Sequence, residues 1–153
     1  MKKTIALTLS VLFVFFCLAS CAKNSAKDDF TKEIPADGIP AEGIWKGAIY
    51  RNHETFGNGA TTVEVEVKAD EYSITFTIKT DKAILGEALL EHDLIAGEQS
   101  QYGLYIKVVN GITADYDVDK SYWALYKNGE YCMTGVDTTP IADGEHYELV
   151  YAK

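Results

Sequence analysis

The sequence is poor in cysteine, and its three cysteines stand in very different places. Cys17 lies inside an N-terminal apolar run, and Cys21 follows that run directly. Cys132 is the one cysteine that would remain unmodified in an exported chain. A disulfide framework in a secreted domain needs paired cysteines, so none is expected here. The folded domain must therefore be stabilised by its apolar core.

Basic residues are also few: 14 Lys and Arg stand against 23 Asp and Glu, and the net charge is −9. Removal of residues 1–20 takes away two lysines and no acidic residue, which lowers the net charge to −11. A strongly acidic domain repels phosphate backbones. We therefore expect no nucleic acid partner.

The sequence contains no apolar run long enough for a permanent membrane helix. Its longest run, from Ile5 to Ala19, has about 15 residues, whereas a spanning helix needs roughly 20. Lys2 and Lys3 precede the run, and small residues follow it. This is the pattern of a secretory signal peptide over residues 1–20.

The end of the apolar run, Leu18-Ala19-Ser20-Cys21, resembles a bacterial lipobox. The resemblance implies cleavage before Cys21 and lipidation of its sulfur, with diacylglycerol and palmitate as the acyl groups. Because two or more acyl chains hold a protein stably on a membrane, the mature protein is predicted to be extracytoplasmic and lipid-anchored to the cell membrane.

The segment after the lipidated cysteine is rich in Ala, Lys, Asp, Pro and Gly and has no sustained apolar period. We therefore predict that residues 21–43 are the lipidated cysteine followed by a disordered tether. Residues 44–153 are enough for one domain and too few for two.

Alternation of apolar and polar residues predicts a hairpin over residues 63–79, turning at Ala69-Asp70-Glu71. Before it, Ile44 to Tyr50 reads as a short strand and Arg51 to Gly59 as a polar loop. After it, the period becomes helical at Ile84, Leu85, Ala88 and Leu89, with Thr80 or Asp81 as the N-cap.

The last third reads as strands. Leu104 to Val109 is one, and Tyr122 to Lys127 pairs with Glu130 to Met133 through Asn128-Gly129, a strong hairpin signal. Asp143-Gly144 then turns the chain into a closing strand from Glu145 to Tyr151. The predicted fold class is α+β, with one mixed sheet packed on one helix.

The element order and the segments YWALYKNGE, TGVDTTPIADGEHYELVY and ILGEALLEHDLI resemble the transcobalamin C-terminal-like family, whose members are soluble-ligand-binding β-grasp modules. The resemblance runs from about Trp45 to Lys153 and implies a β-grasp-like sheet. It also implies capture of a small soluble ligand, with cobalamin or another corrinoid as the candidate. In transcobalamin a helical domain covers the other face of the ligand, so a helical partner protein or a transporter is an expected partner.

Aromatic residues are concentrated in the last third of the chain, where rings suit a flat apolar ligand. They can equally be core or cross-strand pairs, and for Trp123 a core position is the expectation. The hairpin arm resembles the ligand-facing segment of the family. The candidate ligand-binding residues are Tyr105, Tyr126, Tyr131, Cys132, Met133 and Thr134.

Motifs for chemistry are missing. Asp115, Asp117 and Asp119 form D-x-D-x-D, but Lys120 and Tyr126 stand where a calcium loop needs Gly and Glu. The three histidines lack zinc-ligand spacing. We therefore expect no metal site, no required cofactor and no enzyme activity.

The sequence leaves two functions open. The first is a lipid-anchored module that captures a small soluble ligand at the cell surface. The second is a surface protein–protein interaction module without a small-molecule ligand. A third, weaker alternative is an enzyme that uses Cys132 with His146.

Overall fold

The computed structural model describes residues 32–153, and the predicted signal peptide, Cys21 and residues 22–31 lie outside that range. The described chain forms nine strands, two short α-helices and two 3₁₀ helices. The strands are β1 (Glu54–Gly57), β2 (Thr61–Ala69), β3 (Tyr72–Thr80), β4 (Ile95–Ser100), β5 (Gly103–Val109), β6 (Ile112–Thr113), β7 (Tyr122–Lys127), β8 (Glu130–Tyr131) and β9 (His146–Ala152). The helices are α1 (Leu85–Leu90), α2 (Tyr116–Asp119) and the 3₁₀ helices Gly43–Gly47 and Val136–Thr138.

The predicted hairpin between residues 63 and 79 is confirmed. Strands β2 and β3 pair antiparallel over nine residue pairs, from Thr61 opposite Thr80 to Ala69 opposite Tyr72. The alternating apolar side chains point into the core, where each is at most 1% exposed. Because the side-chain period of a strand is two, the polar residues between them form the outer face.

The main sheet has six strands in the order β1-β3-β2-β9-β7-β8. Strand β9 lies between β2, to which it is parallel, and β7, to which it is antiparallel. The last strand of the chain therefore completes the middle of the sheet, next to the first hairpin. The sheet is mixed, as predicted.

A second sheet of three strands, in the order β4-β5-β6, was not predicted. The expectation of one sheet is therefore wrong. Strand β4 gave no signal because five of its six residues are exposed, so its sequence has no apolar alternation. Its pairing with β5 also shifts register between Ala96 and Gly97, and a Cβ on Gly97 would lie 2.0 Å from the Tyr105 carbonyl oxygen. Such close backbone approach requires glycine.

The predicted helix is present but shorter, and its predicted cap is wrong. Helix α1 begins at Leu85 with Ile84 at the N-cap, where no side chain caps it. The Thr80 hydroxyl instead accepts from Lys82 N, and the Asp81 carboxylate accepts from Ala60 N. Within residues 32–153 no helix is long and apolar enough to cross a membrane.

The apolar face of α1 lies in the same core as the first hairpin. Leu85, Ala88 and Leu89 are fully buried, and they belong to one cluster with Val65 and Phe76. The helix contacts the 3₁₀ helix Val136–Thr138 and strand β4. The mixed α+β architecture is thus built on one continuous core.

Residues 32–43 are part of the folded domain, so the predicted tether extends too far. Ile39 is fully buried, and its N–H donates to the Arg51 carbonyl oxygen at 2.8 Å. Trp45, expected in a strand, lies in a 3₁₀ helix and donates from Nε1 to the Ala69 carbonyl oxygen at 2.9 Å. A buried isoleucine between prolines and glycines has no periodic neighbours, which is why the pattern missed it.

The expected polar loop between residues 51 and 59 contains strand β1, which pairs parallel with β3. Its sequence has one apolar residue, Phe56, so it shows no alternation. Phe56 packs edge-to-face on Phe76, with 5.5 Å between ring centroids. That contact and the free edge of β3 explain the strand.

The closing hairpin is confirmed, although its second strand is shorter than predicted. Strands β7 and β8 pair through Tyr126 and Lys127, and β8 ends at Tyr131 instead of Met133. Asn128 and Gly129 both have positive φ, 51° and 79°, as a type I′ turn requires.

Candidate functional site

A groove opens between the second sheet and the closing hairpin of the first. Its cavity has a volume of about 130 Å³. Strands β5 and β7 form two of its walls, and the segment after β8 forms the third. We call it the tyrosine groove. Its lining residues are Leu104, Tyr105, Ile106, Trp123, Leu125, Tyr131, Cys132, Thr134, Gly135 and Val136.

Four of the six predicted ligand-binding residues line the tyrosine groove: Tyr105, Tyr131, Cys132 and Thr134. Tyr105 comes from the second sheet and the other three from the closing hairpin, so only the packing of the two sheets brings them together. Tyr131 is 57% exposed, which leaves its ring available at the rim.

The other two predicted residues stand outside the groove lining. Tyr126 packs edge-to-face against Tyr131, with ring centroids 5.5 Å apart, and so supports a lining residue. Met133 is 91% exposed beside the groove. Met133 and Thr134 lie in a bend that follows β8.

A wider hollow of about 510 Å³ adjoins the groove on the other side of Tyr131 and Cys132. Its lining adds Lys127, Asn128 and Glu130 from the hairpin turn. Tyr131 and Cys132 therefore stand between two concave surfaces, and a ligand larger than the groove could extend over them into the hollow.

Trp123 is a core residue, as expected, and it also forms part of the groove wall. It is 8% exposed, and its ring packs edge-to-face on Tyr151 at 5.5 Å. Its Nε1–H is buried and has no hydrogen-bond partner in residues 32–153. An indole N–H can only donate, so this group lacks an acceptor.

Asp137 is a feature of the site that the sequence reasoning missed. One oxygen of its carboxylate, Oδ2, accepts from the backbone N–H of Leu104 at 3.0 Å. The other, Oδ1, is buried with no donor among the described residues. Gly103 and Gly135 approach so closely that a Cβ on either would lie within 3 Å of the carboxylate. No local pattern around Asp137 signals this, because its partner lies 33 residues away.

The electrostatics around Cys132 do not favour a reactive thiolate. Burial raises the pKa of the Cys132 thiol, and the Lys127 ammonium opposes that shift only in part. Lys127 is paired with Glu145 at 2.6 Å. Burial, followed by a hydrogen bond to Glu145, raises the pKa of Tyr147, so this phenol stays protonated.

The acidic triplet Asp115, Asp117 and Asp119 organises a helical turn. Asp115 accepts from Asp117 N at 3.0 Å and caps α2, and Asp119 accepts from Ser121 and Lys153. His146, the other half of the proposed Cys–His pair, lies 3.5 Å from Glu66. In the part of the chain that the structure describes, no group of three His, Cys, Asp or Glu side chains is placed to hold a metal ion.

Comparison with known proteins identifies a family domain that contains the whole groove. Residues 83–152 match the model of DUF4430, a domain of unknown function. No curated protein matches the chain. Several solved structures do match it.

One is the crystal structure of a candidate metal-binding protein from Ruminococcus gnavus ATCC 29149. It is 36% identical, with a TM-score of 0.58, and the match covers 61% of this chain and 97% of that one. Another is haptocorrin in complex with Cbi, at 24% identity and a TM-score of 0.47, over 64% of this chain and 26% of that one. The similarity to haptocorrin is too low to say anything about the ligand of this chain.

The match to the Ruminococcus gnavus protein extends over nearly the full length of that protein. Its sequence identity is well above the level at which two proteins share only a fold. The chain therefore belongs to the same family as the Ruminococcus gnavus protein, and its residues 83–152 carry the DUF4430 domain.

Proposed function

We propose that this chain is a lipid-anchored extracytoplasmic binding module that captures a small soluble ligand at the cell surface, with cobalamin or another corrinoid as the candidate ligand. The observation that carries the proposal is the tyrosine groove, a concave site whose rings come from two separate sheets. Binding sites of this kind combine apolar rings with a few polar groups that fix orientation.

The architecture supports the choice of a β-grasp-like binding fold. Strands β3, β2, β9 and β7 lie side by side in that order, with the first-hairpin strand β2 parallel to the last strand β9. That is the order of a β-grasp sheet. The groove lies where the second sheet, β4-β5-β6, meets β7 of the main sheet, so both sheets build the site.

The groove chemistry suits an organic ligand better than a bare cation. Its lining offers aromatic rings, aliphatic side chains, one thiol and the hydroxyls of two tyrosines and one threonine, with no carboxylate and no imidazole, whereas hard cations bind several oxygen ligands, usually including carboxylates, and zinc binds clustered thiolates or imidazoles. The Ruminococcus gnavus relative is described as a candidate metal-binding protein. A corrinoid, which carries its metal inside an organic ring, is compatible with both observations.

The proposal contains no catalytic step. The raised pKa of Cys132 keeps its thiol protonated at neutral pH, and nucleophilic chemistry requires the thiolate. The groove is therefore proposed to hold a ligand without changing it, and to pass it to a transporter or a helical partner protein.

Attachment to the membrane rests on the lipobox Leu18-Ala19-Ser20-Cys21. Cys21→Ser removes the acceptor sulfur, and the protein should then move from the membrane fraction to the soluble extracytoplasmic fraction. Cys132→Ser is the matched control and should leave fractionation unchanged. If the Cys21 variant stays with the membrane, lipid anchoring is wrong.

Ligand capture is tested by thermal unfolding in the presence of corrinoids, haems and glycans. A ligand at a hundredfold excess over Kd adds ~2.7 kcal/mol to the free energy of unfolding. For a domain of this size Tm then rises by roughly 10 °C. If none of these ligands changes Tm, small-ligand capture loses its support.

Matched tyrosine variants connect such a shift to the groove. Tyr131→Ala removes a rim ring and should abolish the ligand-induced rise in Tm. Tyr116→Ala removes a comparably exposed ring on α2, which does not line the groove, and should keep the rise. Equal loss in both variants would place the binding site elsewhere.

A second candidate function is a surface module that docks another protein. It is favoured by the exposure of Tyr131 and Met133 next to each other along the hairpin arm. Capture of a membrane protein that is lost on Met133→Ser, together with unchanged Tm in every small ligand, would favour this alternative. Met133 lies outside the groove, so this variant should not affect small-ligand binding.

A further inference from the structure

The closing hairpin is paired at its turn and open at its base. Strands β7 and β8 form two residue pairs, and Cys132 N–H then donates to the Leu125 carbonyl oxygen at 2.9 Å. A complete antiparallel pair returns a bond from Leu125 N–H to the Cys132 carbonyl oxygen, and that bond is not formed. No backbone bond joins Trp123 to Thr134, which are next in the same register. The ladder therefore ends halfway through one residue pair.

Contacts with the rest of the fold hold the second arm of the hairpin away from β7. The Gly135 carbonyl oxygen accepts from Thr138 N–H at 3.2 Å and from the Thr139 hydroxyl at 2.8 Å. The Thr134 hydroxyl lies 3.2 Å from the Thr139 hydroxyl. Thr139 is itself buried, and its carbonyl oxygen accepts from Leu85 N–H at the start of α1. The gap is thus built into the fold and is not a frayed strand end.

The alternation of an antiparallel strand fixes where the unpaired groups of β7 point. Asn128 N–H donates to the His146 carbonyl oxygen, so the even-numbered residues of β7 bond to β9. Trp123, Leu125 and Lys127 therefore direct their N–H and C=O groups to the opposite side, towards β8. There Lys127 pairs with β8, and the Leu125 carbonyl oxygen accepts from Cys132. Three main-chain groups have no strand partner in residues 32–153: the N–H and C=O of Trp123 and the N–H of Leu125.

These three groups point to the side of β7 on which the tyrosine groove lies. Trp123 and Leu125 line the groove, and so do Cys132 and Thr134, the residues at which the ladder stops. The unpaired edge of a strand is a template for another strand. Peptide recognition by strand addition uses the same main-chain hydrogen bonds, with pockets for alternate side chains. The opened hairpin presents such an edge beside such a pocket.

The size and charge of the surroundings limit which segment fits. The groove cavity of about 130 Å³ is smaller than an engineered cavity of about 150 Å³ that binds benzene, so it suits a main chain with small side chains. Glu130 lines the adjoining hollow and has no ion pair with a described residue, whereas Lys127 is neutralised by Glu145. Together with the net charge of −9, this favours a basic segment.

We propose that the tyrosine groove docks an extended basic segment of a partner protein, which adds to β7 as a short strand and pairs with Trp123 and Leu125. The proposal goes beyond the ligand-binding function above, because it names a second occupant of the same groove. It uses main-chain groups that capture of a small ligand does not require. Since both occupants fill one groove, docking of the segment excludes the small ligand.

Hydrogen exchange of the β7 amides tests the gap itself, in the full chain labelled with ¹⁵N. Ala124 and Tyr126 bond to β9, while Trp123 and Leu125 N–H have no strand partner. The latter two amides should therefore exchange at least about tenfold faster than the former two. Equal protection of all four amides would show that the gap is closed in solution, and this result would overturn the proposal.

Docking is measured with the blocked peptide acetyl-Lys-Ala-Gly-Ala-Lys-amide, which is basic and has small residues at its centre. During titration the amide resonances of Trp123 and Leu125 should move downfield with saturation, because both N–H groups gain an acceptor. Ala124 and Tyr126 should change little, since their bonds are directed to β9. Equal movement of all four resonances, or no saturable movement, would overturn strand addition.

Two altered peptides separate main-chain pairing from charge. N-methylation of the central glycine and the alanine after it removes main-chain donors and should weaken binding about tenfold or more. Replacement of both lysines by glutamate keeps the main chain, reverses the charge and should also weaken binding about tenfold. Unchanged affinity of the methylated peptide would overturn strand addition, and unchanged affinity of the acidic peptide would overturn the choice of a basic segment.

Thr134→Phe places a large ring at the groove and should abolish saturable binding of the basic peptide. Thr134 is exposed, so the domain should stay folded, which the resonances of Ala124 and Tyr126 verify. Thr138→Phe is the matched control, because Thr138 is exposed on the same segment but does not line the groove. It should bind the peptide as the unchanged chain does. Equal loss in the two variants would place the peptide elsewhere.

Glu130→Gln is a second variant, and it changes charge without changing the groove lining. It should weaken the basic peptide about threefold and should not weaken the acidic one. Equal affinity of the basic peptide for this variant and the unchanged chain would contradict the role of charge. Failure of the peptide experiments would leave small-ligand capture standing, because the thermal screen with corrinoids, haems and glycans does not depend on the unpaired groups of β7.

Discussion

The first and last hairpins of this chain use the same device for opposite purposes. Strands β2 and β3 pair over nine positions, and every inward side chain between Val63 and Ile78 is almost fully buried. Strands β7 and β8 pair over two positions, and the arm beyond the turn exposes Tyr131 and Met133. The first hairpin builds the core, and the last one presents rings to solvent next to a groove.

The difference also appears in how polar groups are satisfied. On the outer face of the first hairpin Lys68 pairs with Glu66 at 3.3 Å and with Glu148 at 2.6 Å. At the groove, Trp123 Nε1 and Asp137 Oδ1 remain without partners among the described residues. Buried polar groups without a partner are uncommon in folded proteins, and the third such atom among the described residues, His92 Nε2, belongs to neither hairpin.

The largest expected difference in stability is between two alanine variants, one with a truncated side chain in the first hairpin and one with a truncated side chain in the last. Phe76→Ala empties a fully buried position that touches Tyr50 and Phe56, and it should cost ~3–5 kcal/mol of unfolding free energy. Met133→Ala should change it by less than ~0.5 kcal/mol, because the side chain is 91% exposed. Urea unfolding measures both, and a similar cost for the two variants would refute the contrast.

Two glycines with positive φ sharpen the contrast further. Gly57 (φ 70°) lies against β3, where a Cβ would be 2.1 Å from the Lys79 carbonyl oxygen, whereas Gly129 (φ 79°) has open space around it. Gly129→Ala should lower the free energy of unfolding only by the cost of a left-handed alanine, ~1–2 kcal/mol. Gly57→Ala adds a clash with the backbone of β3 to that cost, so we expect a total loss of about 2–5 kcal/mol of unfolding free energy.

Both glycines have a left-handed backbone conformation, so the cost of placing alanine in that conformation cancels when the two variants are compared. Urea unfolding should therefore give a clearly larger loss for Gly57→Ala. Equal losses would mean that the packing of β1 on β3 adds nothing to stability.

A smaller effect is expected from pH at α2, close to the C-terminal end of β9. Hydrogen bonds from Ser121 and Lys153 lower the pKa of the Asp119 carboxyl from 3.8 to about 2. A lowered folded pKa means that the ionised group stabilises the fold above pH 3.8, and that this contribution is lost as pH falls through 2. Asp119→Asn should therefore reduce the loss of stability between pH 4 and 2.

The Asp119 carboxyl resonance, followed by NMR during acid titration, measures the pKa directly. A midpoint near 4 would show that the Ser121 and Lys153 bonds do not hold the carboxylate in solution. Asp117→Asn, on the same turn, is the control for the change in charge.

The smallest expected signal is the slow reaction of Cys132. Because burial raises the pKa of its thiol, Cys132 should react with iodoacetamide at neutral pH more slowly than a cysteine in an unfolded peptide. The reaction should accelerate as pH rises through the thiol pKa. Rapid labelling of the folded protein at neutral pH would instead support a nucleophilic role and the enzyme alternative.

Local patterns identified the elements whose side chains alternate between core and solvent. The hairpin of β2 and β3, the strand β5, the turn Asn128-Gly129 and the strand β9 were all predicted, because each has a periodic apolar face or a turn residue that requires positive φ. Strands β1 and β4 were missed because β1 has no buried side chain, its Phe56 being half-buried, and β4 has only one, Ile95. Their partners lie across the chain, and pairing rather than pattern makes them strands.

The candidate site divides in the same way. Tyr131, Cys132 and Thr134 follow a recognisable turn, and Tyr105 lies in a recognisable strand, so their strands could be predicted. Asp137 could not, because its role depends on the Leu104 N–H 33 residues earlier in the chain. No pattern in the sequence around Asp137 indicates this contact with Leu104.

The sequence alone determined the acidic charge, the two main hairpins and the concentration of rings in the last third, and the signal peptide and lipidation at Cys21 stay predictions from its N-terminal pattern. These are local or additive properties of the chain. The tertiary structure decided that the strands form two sheets, that residues 32–43 pack on the domain and that β5 stands opposite the closing hairpin. Those outcomes depend on contacts between distant residues, whose favourable energy appears only when the whole core has closed.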